Sequence, residues 1–359
     1  MSSELERRLE GLFAEAPEPD PGAGEKALHK ALRELQPAAG PRRGLRAAVL
    51  AFAAAVVLLV IAAGSLAAAG ALHVSLGTNT KPLHAPTRLV LPKGANGMLA
   101  VVDGKLSVVT KSGLGLHGRP VSAAALSPRA LYVAAGTADS LIAMAPDGRR
   151  AWTHPAGGKV VAIAWAPDGF RIAYVVRVGH HFVLHVIYGN GIHDTTVDRS
   201  VRAVKPSWRA DSLAVAYVGA GGKAVIYDVG HESRMLIPVR VPVTGLAFAP
   251  TGDSIAVAQP TGVWVLHQSA ARNIRGTVKS FGWLGGRLAV ASPGLRRDSA
   301  VVRLVDPDGA SRGSYLVRGT VVAVTPKLVV VRRSGKLVGG NTTLLSVSPG
   351  ATLRDLEIG

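Results

Sequence analysis

A chain of 359 residues without a single cysteine has room for a large buried core but no access to disulfide frameworks, thiolate metal sites, cysteine nucleophiles or thiol redox switching. Its 42 glycines and 22 prolines, set among short Val, Ala and Leu runs, point to frequent turns between short strands and so to an all-β body held by burial alone. The net charge of +18 is unevenly spread: residues 1–40 hold eight acids and five bases, residues 41–46 add three arginines, and residues 47–359 hold 33 bases against 15 acids.

The first forty residues read as a short helical segment. Ser3 and Glu6 form an S-x-x-E capping box, and Leu5, Leu9, Leu12 and Phe13 share one helical face until Pro17. A second helix is predicted from Asp20, with Pro21 in its first turn and Leu28, Ala31, Leu32 and Leu35 along one side before Pro37. Isolated helices of this length are marginal in water, so both leucine faces suit a partner. The segment resembles the short cytosolic ends of actinobacterial membrane-anchored anti-sigma factors, which implies a cytosolic sigma factor as that partner. It carries only His29 where the zinc-binding version of those proteins has histidine and cysteine ligands.

From Ala47 to Leu72 there is no charged residue, and about 20 apolar residues suffice for a helix to cross a bilayer. A single transmembrane helix is predicted over 45–72. Arg42, Arg43 and Arg46 stand immediately before the apolar run, whereas the first Lys or Arg after it is Lys81, so the positive-inside bias puts the N-terminus in the cytoplasm. A cleaved signal peptide, suggested by Ser65, Ala67 and Ala69, fits less well because both the apolar core and the region before it are long. Ala47, Ala51 and Ala55 recur at a spacing that lets helices approach closely, but alanine is abundant throughout the chain. Residues 73–86 form a polar linker containing Pro82 and Pro86.

Beyond it, residues 87–359 repeat. The clearest copies are VVAIAWAPDGFRIAYVV (160–176), VKPSWRADSLAVAYVG (204–219) and VTGLAFAPTGDSIAVAQ (243–259). Weaker ones begin at residues 123, 279 and 321. Their anchor residues are Leu126, Trp165, Trp208, Phe248, Trp283 and Val324, separated by 39, 43, 40, 35 and 41 residues. A degenerate first copy puts Leu91 a further 35 earlier, making seven units. A period near 40 with four strand signals per unit matches one blade of a β-propeller, and each anchor is expected to pack between adjacent blades. Trp165-Ala166-Pro167-Asp168-Gly169 with Ile172-Ala173 resembles the WD40-like, or PD40, blades of the periplasmic propeller protein of the Tol system. The units headed by Trp208 and Phe248 alter the Asp-Gly, and the Trp283 unit lacks the proline. The fold class is therefore all-β, a propeller of seven blades, with six plus an irregular start as the alternative count. A parallel β-helix has units near half this length, and a two-sheet sandwich would not repeat so often. The whole order of stub, anchor and propeller resembles a class of actinobacterial membrane proteins.

No catalytic, cofactor-binding or metal-ligating set emerges. His180, His181, His185 and His193 with Asp194 are the nearest to a metal constellation, but no carboxylate lies in the same strand and the histidines read as exposed strand and turn residues. Pro146-Asp147-Gly148, Pro167-Asp168-Gly169 and Pro307-Asp308-Gly309 are explained by turn chemistry. There is no G-x-S-x-G elbow, P-loop or dinucleotide fingerprint. The basic excess, with doublets at Arg149-Arg150, Arg296-Arg297 and Arg332-Arg333, suits anionic partners such as lipid headgroups or cell-wall polymers, and nucleic acid is not expected outside the cell. The expectation is a non-enzymatic, single-pass membrane protein whose propeller is an extracytoplasmic binding or scaffold module. The alternative is a transmembrane sensor that signals through its N-terminal helices.

Overall fold

The computed structural model describes residues 89–359, apart from Leu114, Val241, Gln268, Ser269 and Pro349. The predicted cytosolic helices with Leu5, Leu9, Leu12, Phe13, Leu28, Leu32 and Leu35, the arginines Arg42, Arg43 and Arg46, the apolar run and the linker all lie outside the described residues. Among those residues no helix is long and apolar enough to cross a membrane.

The described chain forms 28 strands in seven four-stranded antiparallel sheets, the blades of a β-propeller. In blades 2 to 7 the strands follow one another in space as in sequence. Their innermost strands are Ala123–Leu126, Lys159–Trp165, Ser207–Trp208, Gly245–Phe248, Ser280–Leu284 and Thr320–Val324. Inner and second strands are sandwiched between neighbouring blades, so they are apolar on both faces rather than alternating. Ala123–Leu126 and Ser254–Gln259 are buried at every residue, whereas the outermost strand Ser233–Leu236 is exposed throughout.

Each junction between blades holds one apolar cluster. Ala164 and Val175 of blade 3 meet Trp208, Val215 and Tyr217 of blade 4. Ala256 and Val263 of blade 5 meet Trp283 and Leu288 of blade 6. Space is short where blades converge: a Cβ on Gly282 would lie 2.8 Å from the carbonyl oxygen of Val324 in blade 7, so no larger residue fits there without backbone movement.

Blade 1 differs from the sequence expectation. Gly97–Val102, Lys105–Thr110 and His117–Pro120 supply only its outer three strands, and the innermost is Leu353–Ile358 from the other end of the repeat region. Met98 pairs with Ile358 and Ala100 with Leu356. Leu91 therefore heads no strand, and the anchor position of this blade belongs to buried Ile358. A ring whose first blade borrows its inner strand leaves no open sheet edge at the seam, the usual liability of antiparallel sheets.

Candidate functional site

All inner strands run in the same sense, which gives the ring two distinct faces. The turn face carries the hairpins joining first to second and third to fourth strands; the link face carries the hairpins joining second to third strands and the connections between blades. Pro167-Asp168-Gly169 joins a first to a second strand, whereas Pro146-Asp147-Gly148 and Pro307-Asp308-Gly309 join third to fourth strands. Their aspartates accept the backbone N–H two residues on, as in Phe170 to Asp168 at 2.8 Å.

The six sequence anchors stand at the turn-face ends of the inner strands, each in the apolar cluster against the preceding blade. Two tryptophans also tie blades together by hydrogen bonds. Trp208 Nε1–H donates to the carbonyl of Ala164 at 3.0 Å, and Trp283 Nε1–H to that of Ala247 at 2.9 Å. Both acceptors immediately precede the previous blade's anchor. Trp165 instead donates to Gly169 in its own turn at 2.9 Å.

The axial channel contains a charged cluster that pattern reading missed. Lys205, three residues ahead of Trp208, reaches Glu357 at 2.5 Å and Asp355 at 3.8 Å on the closing strand. The far carboxylate oxygens accept backbone N–H groups of blade 2, Ala124 to Asp355 at 3.0 Å and Leu126 to Glu357 at 2.6 Å. Protein surrounds Lys205, yet its side chain stays 41% accessible through the channel. Burial pushes the Asp355 carboxyl above its ordinary value despite the nearby Lys205 charge. Burial alone would lower the Lys205 ammonium, but Glu357 and Asp355 together hold it above the usual lysine value. An ammonium so held offers no free amine at neutral pH, so the cluster reads as a brace between blades 1, 2 and 4. A cavity of about 490 Å³ opens beside it, walled by Trp165, Trp208, Pro326 and Glu357.

The histidines separate. His180 and His181 lie exposed at a link-face hairpin, and His193 sits in a turn at φ 55°. His185 is drawn inward: its Nδ1 lies 3.0 Å from Asp194 Oδ2, and its ring stacks on Tyr174 with centroids 5.0 Å apart. His154 of blade 2 approaches the same carboxylate oxygen at 3.4 Å, and the Tyr174 hydroxyl donates to the other at 2.9 Å. Asp194 thus reaches His185 from a loop, which strand spacing could not show. Burial would raise the Asp194 carboxyl, but His185, Tyr174 and His154 outweigh it and hold it below the ordinary value. Burial, then the Asp194 charge, push the Tyr174 hydroxyl up. Among the described residues no group of three or more His, Cys, Asp or Glu is arranged to hold a metal ion.

Charge divides between the faces. Counting each connection with one flanking residue at either end, and setting aside Lys205 on the channel wall, the link face carries twelve Lys or Arg against three Asp. The turn face carries eight cations and nine acids. The link face also holds a cavity of about 690 Å³ whose wall includes Ser122, Thr137, Lys159 and Arg354. The turn face instead displays apolar side chains, among them Phe170 (74% exposed), Tyr188, Ile192 and Leu213.

The fold has a counterpart among solved structures. One chain of a structure described as "Crystal Structure of Mitotic Checkpoint Complex" aligns at a TM-score of 0.52 and 14% identity, covering 77% of this chain and 98% of its own. TolB from Acinetobacter baumannii matches at 14% identity and the putative TolB from Agrobacterium tumefaciens at 12%, each with a TM-score of 0.44 over 63% of this chain. Those alignments cover 68% and 90% of the respective TolB chains. At such identities the likeness is one of fold alone. No protein-family model and no curated protein matches the sequence.

Proposed function

We propose that this protein is a non-enzymatic, membrane-tethered propeller that serves as an extracytoplasmic binding or scaffold module for protein or anionic envelope partners. The division of charge carries the reading: a face with twelve cations and three acids, backed by one with eight cations and nine acids, suits attachment to a polyanion on one side only. The exposed Phe170, Tyr188, Ile192 and Leu213 make the turn face the better surface for a protein. Ala47–Leu72, with Arg42, Arg43 and Arg46 before it, is the proposed tether. Binding of the full chain to isolated envelopes should weaken severalfold when salt is raised from 50 to 500 mM, because added ions screen exposed charges. Binding that ignores salt refutes the electrostatic part. The tether is tested by alkaline extraction of membranes, which a spanning helix resists.

The leucine faces of residues 1–40 support a second reading, in which the chain signals to a cytosolic regulator. Affinity capture with the full chain should then retain a sigma factor that Leu9→Asp/Leu32→Asp releases. Equal recovery by both proteins removes that reading.

A further inference from the structure

We propose that the link face docks flat on the anionic headgroup surface of a lipid bilayer, with Leu295 entering the interfacial layer. The proposal deepens the binding-module reading above, rests on it, and commits the anionic partner to one source.

Two independent observations point to a bilayer rather than to a groove-bound polymer. The first is the distribution of the cations. Arg354 of blade 1, Lys159 of blade 3, Arg202 of blade 4, Arg240 of blade 5, Lys279 of blade 6 and Arg318 leading into blade 7 all lie within five residues of the start of an inner strand. They are all exposed. Positive charge is thus carried around the ring by six of the seven blades, and a planar anionic surface meets many of these groups together, whereas a single polymer strand crossing the disc meets few. Near an anionic membrane each Lys or Arg strengthens binding about fivefold. The opposing acids Asp103, Asp139 and Asp298 are too few to cancel the field.

The second is Leu295. It stands in the hairpin between Arg287–Pro293 and Ser299–Val305 of blade 6, with a side chain as exposed as in an isolated residue at 106%, followed by exposed Arg296 and Arg297. The large exposed apolar residues of the turn-face hairpins are distant from this loop in the fold. An apolar side chain held out beyond its own sheet next to two arginines is the pattern of a side chain that leaves water for the acyl boundary while its neighbours bind headgroups.

The chain has no cysteine, so Leu295→Cys carrying an environment-sensitive fluorophore is a single-site reporter, and Thr251→Cys on the turn face is its control. The labelled full chain is reconstituted into vesicles of phosphatidylcholine alone or with one third phosphatidylglycerol. With phosphatidylglycerol the probe at 295 should shift to the blue and brighten severalfold, an effect that high salt reverses and Arg296→Glu/Arg297→Glu reduces at least tenfold. The probe at 251 should not respond. Identical spectra at 295 in the two lipids overturn the proposal. So does a probe that stays aqueous in both while the double arginine variant loses binding to polyphosphate, because that result assigns the face to a soluble polymer. Alkaline extraction from pure phosphatidylcholine vesicles reports on the tether alone. If the tether fails, the same probe is read with vesicles added to the soluble chain, so the two failures are distinguishable.

Discussion

Replacing Trp208 by Phe tests whether the tryptophan indoles tie one blade to the next. Trp208 is 7% exposed and packs among Ala164, Val175 and Val215, and its Nε1–H reaches the Ala164 carbonyl at 3.0 Å. Phenylalanine keeps most of the apolar contact and loses the donor. The Ala164 carbonyl also faces Ala173 in the strand ladder and keeps that partner, so losing the indole bond costs about 0.5–1.5 kcal/mol, and the packing lost with the second ring adds roughly 1 kcal/mol, so a loss of about 1.5–2.5 kcal/mol is expected. Trp283→Phe should behave alike, since its bond to Ala247 is equivalent and its exposure is 5%. The two residues lie in separate clusters, so the double variant should be additive to about 0.5 kcal/mol. Trp165, whose indole bonds within its own turn, should lose about 1 kcal/mol or less on the same change. Urea unfolding followed by far-ultraviolet circular dichroism measures all four, read as midpoint shifts at constant slope. If Trp208→Phe and Trp283→Phe each cost under about 0.5 kcal/mol, or if Trp165→Phe costs as much as they do, the bond between blades is not what these residues supply.

Gly282→Ala should destabilise by about 2–3 kcal/mol because its Cβ meets the backbone of blade 7, while Gly221→Ala, with open space around it, should be neutral; thermal unfolding compares them. Deleting residues 353–359 removes the inner strand of blade 1 with Asp355 and Glu357, and should abolish cooperative unfolding and broaden the gel-filtration profile; a sharp, wild-type-like transition would show that the ring does not need its seam. Asp194 has a folded-state carboxyl below the ordinary 3.8, so its contribution is present above that value and is lost as the pH falls through the lower folded value. The stability gap between wild type and Asp194→Asn should therefore be about 1–2 kcal/mol near pH 6 and close in acid, as read by unfolding at a series of pH values.

The period, the apolar runs and the Trp165–Gly169 turn were visible in the chain because each depends on residues a few positions apart. Turn chemistry and sandwiched strands imprint themselves locally. Closure does not. Leu91 continues the spacing of the anchors backwards as readily as Ile358 continues it forwards, and only the pairing of Met98 with Ile358 decides between them. Lys205 and Glu357 are likewise joined across the channel by chain topology, although they stand 152 positions apart in sequence. The charged faces were hidden for another reason: cations of the link and turn faces alternate along the chain, so the asymmetry emerges only once strand direction is known.

Because Met98 finds its partner 260 positions further on, the first sheet to be synthesised is the last to be finished. During that interval Gly97–Val102 presents an unpaired edge open to any extended peptide, and closing so long a loop is entropically slow. The seam therefore sets the kinetic bottleneck of assembly, and a chaperone able to shield one bare edge would hasten maturation more than one acting elsewhere on the disc.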